Sequence, residues 1–270
     1  MEVHHQPHVD SDSHRKKNFK EYFSEFIMIF LAVTLGFFAE SLREYVSEHK
    51  HAKEYAKSMI SDLTSDSTDL EAYIAYYTIA LNNIDTLSQL LSNEEVKQIS
   101  TGKLYWYGLW GGATGSFVPH DATIHQMESS GTLRYFTNPT LNRNVANYDQ
   151  LCRKWQKSAE ADLGIYTEVR KARARIFEFK YNEIANNIYQ ASKIDSNRAL
   201  LDSFMKTNPP LLTEDKTLFN EYLEMIRSRF IEWKLKDAKT LLHQAILLID
   251  ELEKDYHLSE GEKMEQKVSK

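Results

Sequence analysis

His120, Asp121, His125 and Glu128 are the residues best suited to hold a metal in this 270-residue chain. His125 and Glu128 stand three apart on one helical face, with His120 and Asp121 just upstream, and such nitrogen and oxygen donors suit zinc or iron. The spacing matches no metal motif, however, and metal sites in helical proteins draw ligands from several helices. A plainer use is capping, with Asp121 and Thr123 starting a short helix, Gln126 completing a capping box and Gly131 ending it. Neither a metal nor any other cofactor is assigned. Ser129 and Ser130 lie close to His125 but lack a Gly-x-Ser-x-Gly elbow and an orienting acid, which speaks against a nucleophilic serine. His4, His5, His8 and His14 lie in a polar tail, where a solvated segment is the simpler reading.

Three further sets could carry function. Trp106 and Trp110 stand in the stretch LYWYGLWGGATGSF, where they either line a ligand pocket or cap a core. Together with His120, His125 and Glu128 they form the candidate contact surface for a partner or ligand. Glu25 sits at the edge of an apolar run, where a carboxylate at membrane depth is a functional candidate, although snorkelling to the interface is cheap so close to Lys20. Arg170, Lys171, Arg173, Arg175 and Lys180 point around a helix. They are read as partners for the acids Asp62, Asp66, Asp69 and Glu71 or as a solvated face, not as a nucleic-acid site. A net charge of −6 agrees, and the chain carries neither a Walker loop nor a dinucleotide fingerprint. A non-enzyme is expected.

The elements that must position these residues are long helices. Five of the nine glycines lie between Gly102 and Gly115, and between Phe19 and Thr101 there is only Gly36 and no proline. The single cysteine, Cys152, excludes an intrachain disulfide and leaves an intermolecular one open. Phe26 to Ala39, FIMIFLAVTLGFFA, is uncharged, and extension to Tyr22 and Leu42 lengthens it to about 32 Å of helix, enough for a hydrocarbon core. Glu21 and Glu25 argue against a cleavable signal peptide, so an uncleaved signal anchor over residues 21–42 is expected. The cluster Arg15, Lys16, Lys17 and Lys20 favours a cytoplasmic N-terminus and an exported body, although Arg43, Lys50, Lys53 and Lys57 stand on the other side.

Beyond the anchor the pattern continues as one helix to about Ser92. Its seam runs through Ala56, Ile60, Leu63, Ser67, Leu70, Ile74, Tyr77, Leu81, Ile84, Ser88 and Leu91 in alternating steps of four and three, with Met59, Tyr73, Leu87 and Leu90 beside it widening the buried face toward the distal end. Residues 97–120 read as an aromatic, glycine-rich loop or hairpin. A helix then starts at Asn138 and Pro139 and carries Tyr148, Cys152 and Trp155 on toward Ile188, interrupted only by Gly164. Ser192 to Thr213 is a connector, and a last helix runs from about Leu218 to Leu252. The expected architecture is all-α: a transmembrane helix continuing into a stalk, and an exported body over residues 43–256 folded as an antiparallel bundle or elongated hairpin, with polar tails over 1–20 and 257–270.

Two stretches resemble a family of uncharacterised single-pass membrane proteins of the Bacteroidota that carry a domain of unknown function. The first runs from Glu25 through VTLGFFAESLREYVSEHKHAKEYAKSMISDL to Leu63. The second spans Thr123 to Tyr148, with Ser129-Ser130-Gly131, Leu133-Arg134 and Asn138-Pro139-Thr140-Leu141. The wording LGFFAESLRE departs from the commoner family pattern, so the resemblance is to a divergent branch. It implies a bacterial inner-membrane location and a glutamate at the opening of the membrane segment, and it supplies no activity. Three roles follow as expectations. The first is an oligomeric scaffold or accessory subunit bound to lipid, to copies of itself or to another inner-membrane protein. The others are a periplasmic ligand-binding module and a proton-coupled or channel-forming component using Glu25.

Overall fold

A computed structural model describes residues 18–194, 198–229 and 233–258. The histidines His4, His5, His8 and His14, the cations Arg15, Lys16 and Lys17, and the tail beyond Leu258 lie outside the described residues. Within them the chain is all-helical, with no strand: α1 (Phe19–Asn93), α2 (Thr101–Leu109), α3 (Ala122–Ser130), α4 (Pro139–Ile176), α5 (Phe179–Ile194), α6 (Ala199–Met205), α7 (Lys216–Arg229) and α8 (Trp233–Tyr256). The structure divides into two compact units, Met1–Ala52 and Lys53–Lys270.

In the first unit α1 is one continuous helix that carries the uncharged run Phe26 to Ala39. It opens where Glu21 accepts the Asn18 N–H at 3.1 Å, and an Arg43–Glu40 ion pair marks the return of charge beyond the apolar run. None of its most apolar 18-residue window is buried, and this helix is long and apolar enough to cross a membrane.

In the second unit α1 buries a stripe through Ala56, Met59, Leu63, Asp66, Leu70, Tyr73, Tyr77, Ala80, Ile84, Leu87 and Leu91. This is a heptad seam in which Met59, Tyr73 and Leu87, expected beside it, stand as rungs, and in which Asp66 and Ala80 take the places expected for Ser67 and Leu81. Asp66, Tyr73, Ala80 and Leu87 are buried, whereas Ser67, Ile74, Leu81 and Ser88 are only half-buried. A seam read from apolar type alone passes over a buried aspartate, and Asp66 is the rung that sets the register. The seam is filled by the chain's own helices. Tyr73 meets Trp155 of α4 edge-on at 5.0 Å, and Asp66 meets Tyr148 one turn pair earlier, so α1 and α4 run in the same direction.

The return direction belongs to α7 and α8. Along α4 the pairs Arg175–Glu221, Asp162–Arg229, Lys154–Asp237 and Asn144–Glu251 follow in reverse order, so both helices run antiparallel to it. Two consecutive long helices can run parallel only if something carries the chain back between them. Residues 113–138 do so: Phe117 packs on Trp155, His120 reaches Asp66 and Thr123 reaches Asp62, descending α1 before α4 begins. The start of α4 follows its sequence signal, since the Asn138 side chain accepts from the N–H groups of Thr140 and Leu141 with Pro139 at the first helical position.

Three expectations are corrected. The stretch 97–120 is not wholly a loop: Thr101–Leu109 is α2, and a 3-10 turn follows over Trp110–Gly112. Its glycines suggest turns in sequence, but Gly102, Gly108 and Gly111 serve close approach. A Cβ would strike the Phe204 carbonyl at Gly102, stand 2.7 Å from the Phe177 ring at Gly108, and meet Tyr222 and Ile226 at Gly111. The helix after Pro139 breaks at Phe177, not at Gly164. There the buried Phe177 ring packs on Tyr105 and Tyr222, and the Tyr105 hydroxyl accepts the Glu178 N–H at 3.0 Å. The connector contains α6, whose C-terminal turn receives α2: Ser100 Oγ donates to the Met205 and Thr207 carbonyls.

These roles of glycine separate by substitution. Gly108→Ala should lower stability by about 1–3 kcal/mol, because the Phe177 ring cannot withdraw without opening the core. Gly164→Ala, with nothing within 4 Å of its added methyl, should raise stability by up to about 1 kcal/mol. Thermal unfolding of the two variants in detergent checks both signs.

Candidate functional site

The histidine and carboxylate residues singled out as a ligand set are parted by the fold. Asp66 of α1 is fully buried, and its Oδ1 accepts the backbone N–H of His120 at 2.7 Å and contacts His120 Nδ1 at 3.0 Å. Its Oδ2 accepts the Tyr148 hydroxyl at 2.6 Å. Burial, with this carboxylate beside it, holds the Tyr148 phenol far above the usual tyrosine range. One turn earlier Asp62 accepts the Thr123 N–H at 3.1 Å. The start of α3 is thus capped by a carboxylate from another helix, and neither Asp121 nor Thr123 provides the side-chain cap that the sequence suggests. Gly131 does end the helix in the left-handed conformation, at φ 69°.

His125 turns away from His120 to Asp121 Oδ2 at 3.1 Å, with Glu128 at 4.0 Å and Arg153 beyond it at 3.9 Å. Among the described residues no group of three or more His, Cys, Asp or Glu side chains is placed to hold a metal. The cluster ties the returning segment to α1. Cys152, buried beside Tyr148, has its thiol pushed up to about 12 by desolvation first and by Asp66 second, which makes it a poor nucleophile.

The tryptophans are brought together, with unequal roles. Trp106 and Trp110 are both buried, with ring centroids 6.2 Å apart, and each also meets Tyr189 of α5. Trp110 lines a cleft of about 630 Å³ between the Trp110–Gly112 turn, α4 and α5, whereas Trp106 lies behind it as core. His120, His125 and Glu128 are not in the wall of that cleft. Glu25 lies two turns inside α1 in the other unit.

A second buried charge set was not singled out from sequence. Asp162 on α4 accepts from Arg229 Nε and Nη2 at 3.0–3.2 Å and from Lys234 Nζ at 2.7 Å. Arg229, only 2% exposed, also donates to the Gly111 and Ala113 carbonyls and stands 4.6 Å over the Tyr166 ring. Lys234 lies over Tyr77 at 5.3 Å, and desolvation lowers its ammonium to about 8, partly offset by Asp162. In sequence, a charge surrounded by other charges on a helix resembles a solvated face. Asp162, the Tyr166 ring and the carbonyls of Gly111 and Ala113 together make Arg229 a core residue.

The basic stretch on α4 and α5 finds partners other than those expected. Arg175 pairs with Glu221, Lys171 with Glu168, Arg173 with Asn182, Arg170 with the Tyr166 face and Lys180 with the Tyr181 face. Asp62 and Asp66 are spent on the returning segment.

Comparison with protein-family models, curated proteins and solved structures finds no match. The candidate sites therefore rest on geometry.

Tyr148→Phe should cost about 1–3 kcal/mol by leaving a buried Asp66 oxygen unpaired, while His125→Ala should stay within about 0.5 kcal/mol. Urea unfolding of both measures the difference. Lys234 contributes a pH dependence of definite sign. Its folded value lies below its unfolded one, so between about pH 8 and 10.5 the unfolded chain holds more protons and rising pH favours the fold. Cys152, raised in the fold, acts oppositely above about pH 9. Against Lys234→Met, the wild type should gain about 1–3 kcal/mol in relative stability between pH 7 and pH 10, read from paired denaturation curves.

Proposed function

We propose that this chain is a single-pass inner-membrane protein whose helical body acts, without catalysis of its own, as a scaffold or accessory subunit of a membrane assembly. The observation that carries the reading is the bare apolar half of α1. Phe26, Met28, Ile29, Phe30, Leu31, Val33, Leu35, Phe37 and Phe38 are all at least half exposed. So much contiguous apolar surface on a helix bounded by Glu21 at one end and Glu40 and Arg43 at the other is what a bilayer covers. The resemblance to a Bacteroidota membrane family points to an inner membrane, and the basic cluster Arg15, Lys16, Lys17 and Lys20 ahead of the helix favours a cytoplasmic N-terminus and a periplasmic body. Because the stalk seam beyond Ala52 is already filled by α4 and its neighbours, association with further copies or another membrane protein would use the membrane helix or the outer faces of the body.

Alkaline extraction of membranes tests the anchor. The wild-type chain should stay in the pellet. A Leu31→Arg, Val33→Arg double substitution, at about 2.5–3.5 kcal/mol for each arginine at the helix centre, should shift it toward the soluble fraction. Full release of the wild type would sink the anchored reading. Gentle extraction followed by native mass measurement tests the assembly: a defined oligomer or a stable co-purifying membrane protein is expected, and a lone monomer would overturn the accessory role.

A further inference from the structure

We propose that the cleft between the Trp110–Gly112 turn, α4 and α5 is a binding site for a small organic anion with a flat ring, its carboxylate or phosphate head held by Arg173 and Arg170. This goes beyond the membrane role and does not depend on it.

The cleft, about 630 Å³, is of the size that takes small ligands. Its inner wall carries two donors with no acceptor: the indole Nε1 of Trp110, a residue only 5% exposed, and Nε of Arg173. Buried N–H groups are almost always paired, so two orphans in the wall of one cleft are unusual. Both atoms are shielded from solvent as they stand, so an acceptor in the cleft reaches them with a shift of the Arg173 and Trp110 side chains. Arg173 spends one Nη2 hydrogen bond on Asn182, at 2.8 Å. A planar guanidinium with Nε unspent is the group that grips carboxylate and phosphate oxygens side-on.

The charge around the cleft agrees. Arg170 reaches the rim with its guanidinium 5.7 Å over the Tyr166 ring, so two cations face one carboxylate, Glu183, which lies exposed on α5. The remaining wall favours a ring. Tyr189 stands edge-on to Trp110 at 5.1 Å and Tyr76 is tilted against it at 6.2 Å, giving an aromatic floor beside the cationic head site.

Calorimetric titration of the full chain in detergent tests this with phenyl phosphate, benzoate, inorganic phosphate, benzyl alcohol and benzylamine as probes. Phenyl phosphate or benzoate should bind with one-to-one stoichiometry, the tighter of the two identifying the head group, and benzyl alcohol and benzylamine should not bind. Arg173→Gln should weaken the aryl anion about tenfold or more, and Arg170→Gln, at the exposed rim where folding is not at stake, should weaken it severalfold. Trp110→Phe, which keeps a ring and removes the N–H, should weaken it with little change in helicity. The proposal is overturned if neither aryl anion binds, if benzylamine binds as well as they do, if inorganic phosphate matches phenyl phosphate, or if Arg170→Gln and Trp110→Phe leave the affinity unchanged.

Discussion

The carboxylate of Asp66 sits at a core position of α1, fully shielded, and a buried carboxylate is costly unless hydrogen bonds take up its charge. Here the bonds come from the His120 N–H and ring and from the Tyr148 hydroxyl, one from the returning segment and one from α4. Satisfying this one group therefore brings three parts of the chain to one height on α1. An apolar residue at that position would allow the helices to slide past each other by a turn; a carboxylate with fixed donors does not. The parallel course of α1 and α4, and the descending path between them, depend on that constraint.

Asp162 plays the corresponding part near the other end of α4. It neutralises Arg229 and Lys234 where α7 and α8 meet, and Arg229 in turn fixes the carbonyls of Gly111 and Ala113. Burial is what depresses the Lys234 ammonium, against the opposing pull of Asp162, and the neighbouring Arg229 charge adds a smaller push the same way as burial. The same turn that Arg229 holds by its backbone presents Trp110 to the cleft. The charge cluster and the aromatic cleft are two faces of one short piece of chain, and the glycines at 108, 111 and 112 let that piece lie close against Phe177, Tyr222 and Arg173.

Of the candidate residues named from sequence, Trp110 lines a cleft, Trp106 backs it in the core, and His120, His125 and Glu128 serve the returning segment and its surroundings. Residues 120–128 looked like a ligand set because short-range spacing brings donors near each other on a helix, but the acids that engage them, Asp62 and Asp66, come from nearly sixty residues earlier. No local pattern announces such a partner. Arg173 is visible in sequence only as one member of a basic stretch; its role at the cleft requires α5 to turn away after α4 and pack against α2, and the break at Phe177 that allows this is set by the fit of one ring among Tyr105, Phe219 and Tyr222.

The sequence by itself determined the all-helical class, the long apolar segment of α1, the start of α4 at Asn138 and Pro139, and the end of α3 at Gly131. Those features rest on local physics: hydrophobic length, a cap within three residues, a positive φ that glycine tolerates. Tertiary structure alone decided the direction of α4 relative to α1, the register of the buried seam, the helical state of Thr101–Leu109 and the place of each buried charge. These depend on which distant group satisfies a shielded carboxylate or fits against a bare glycine, and such energies exist only once the helices have met.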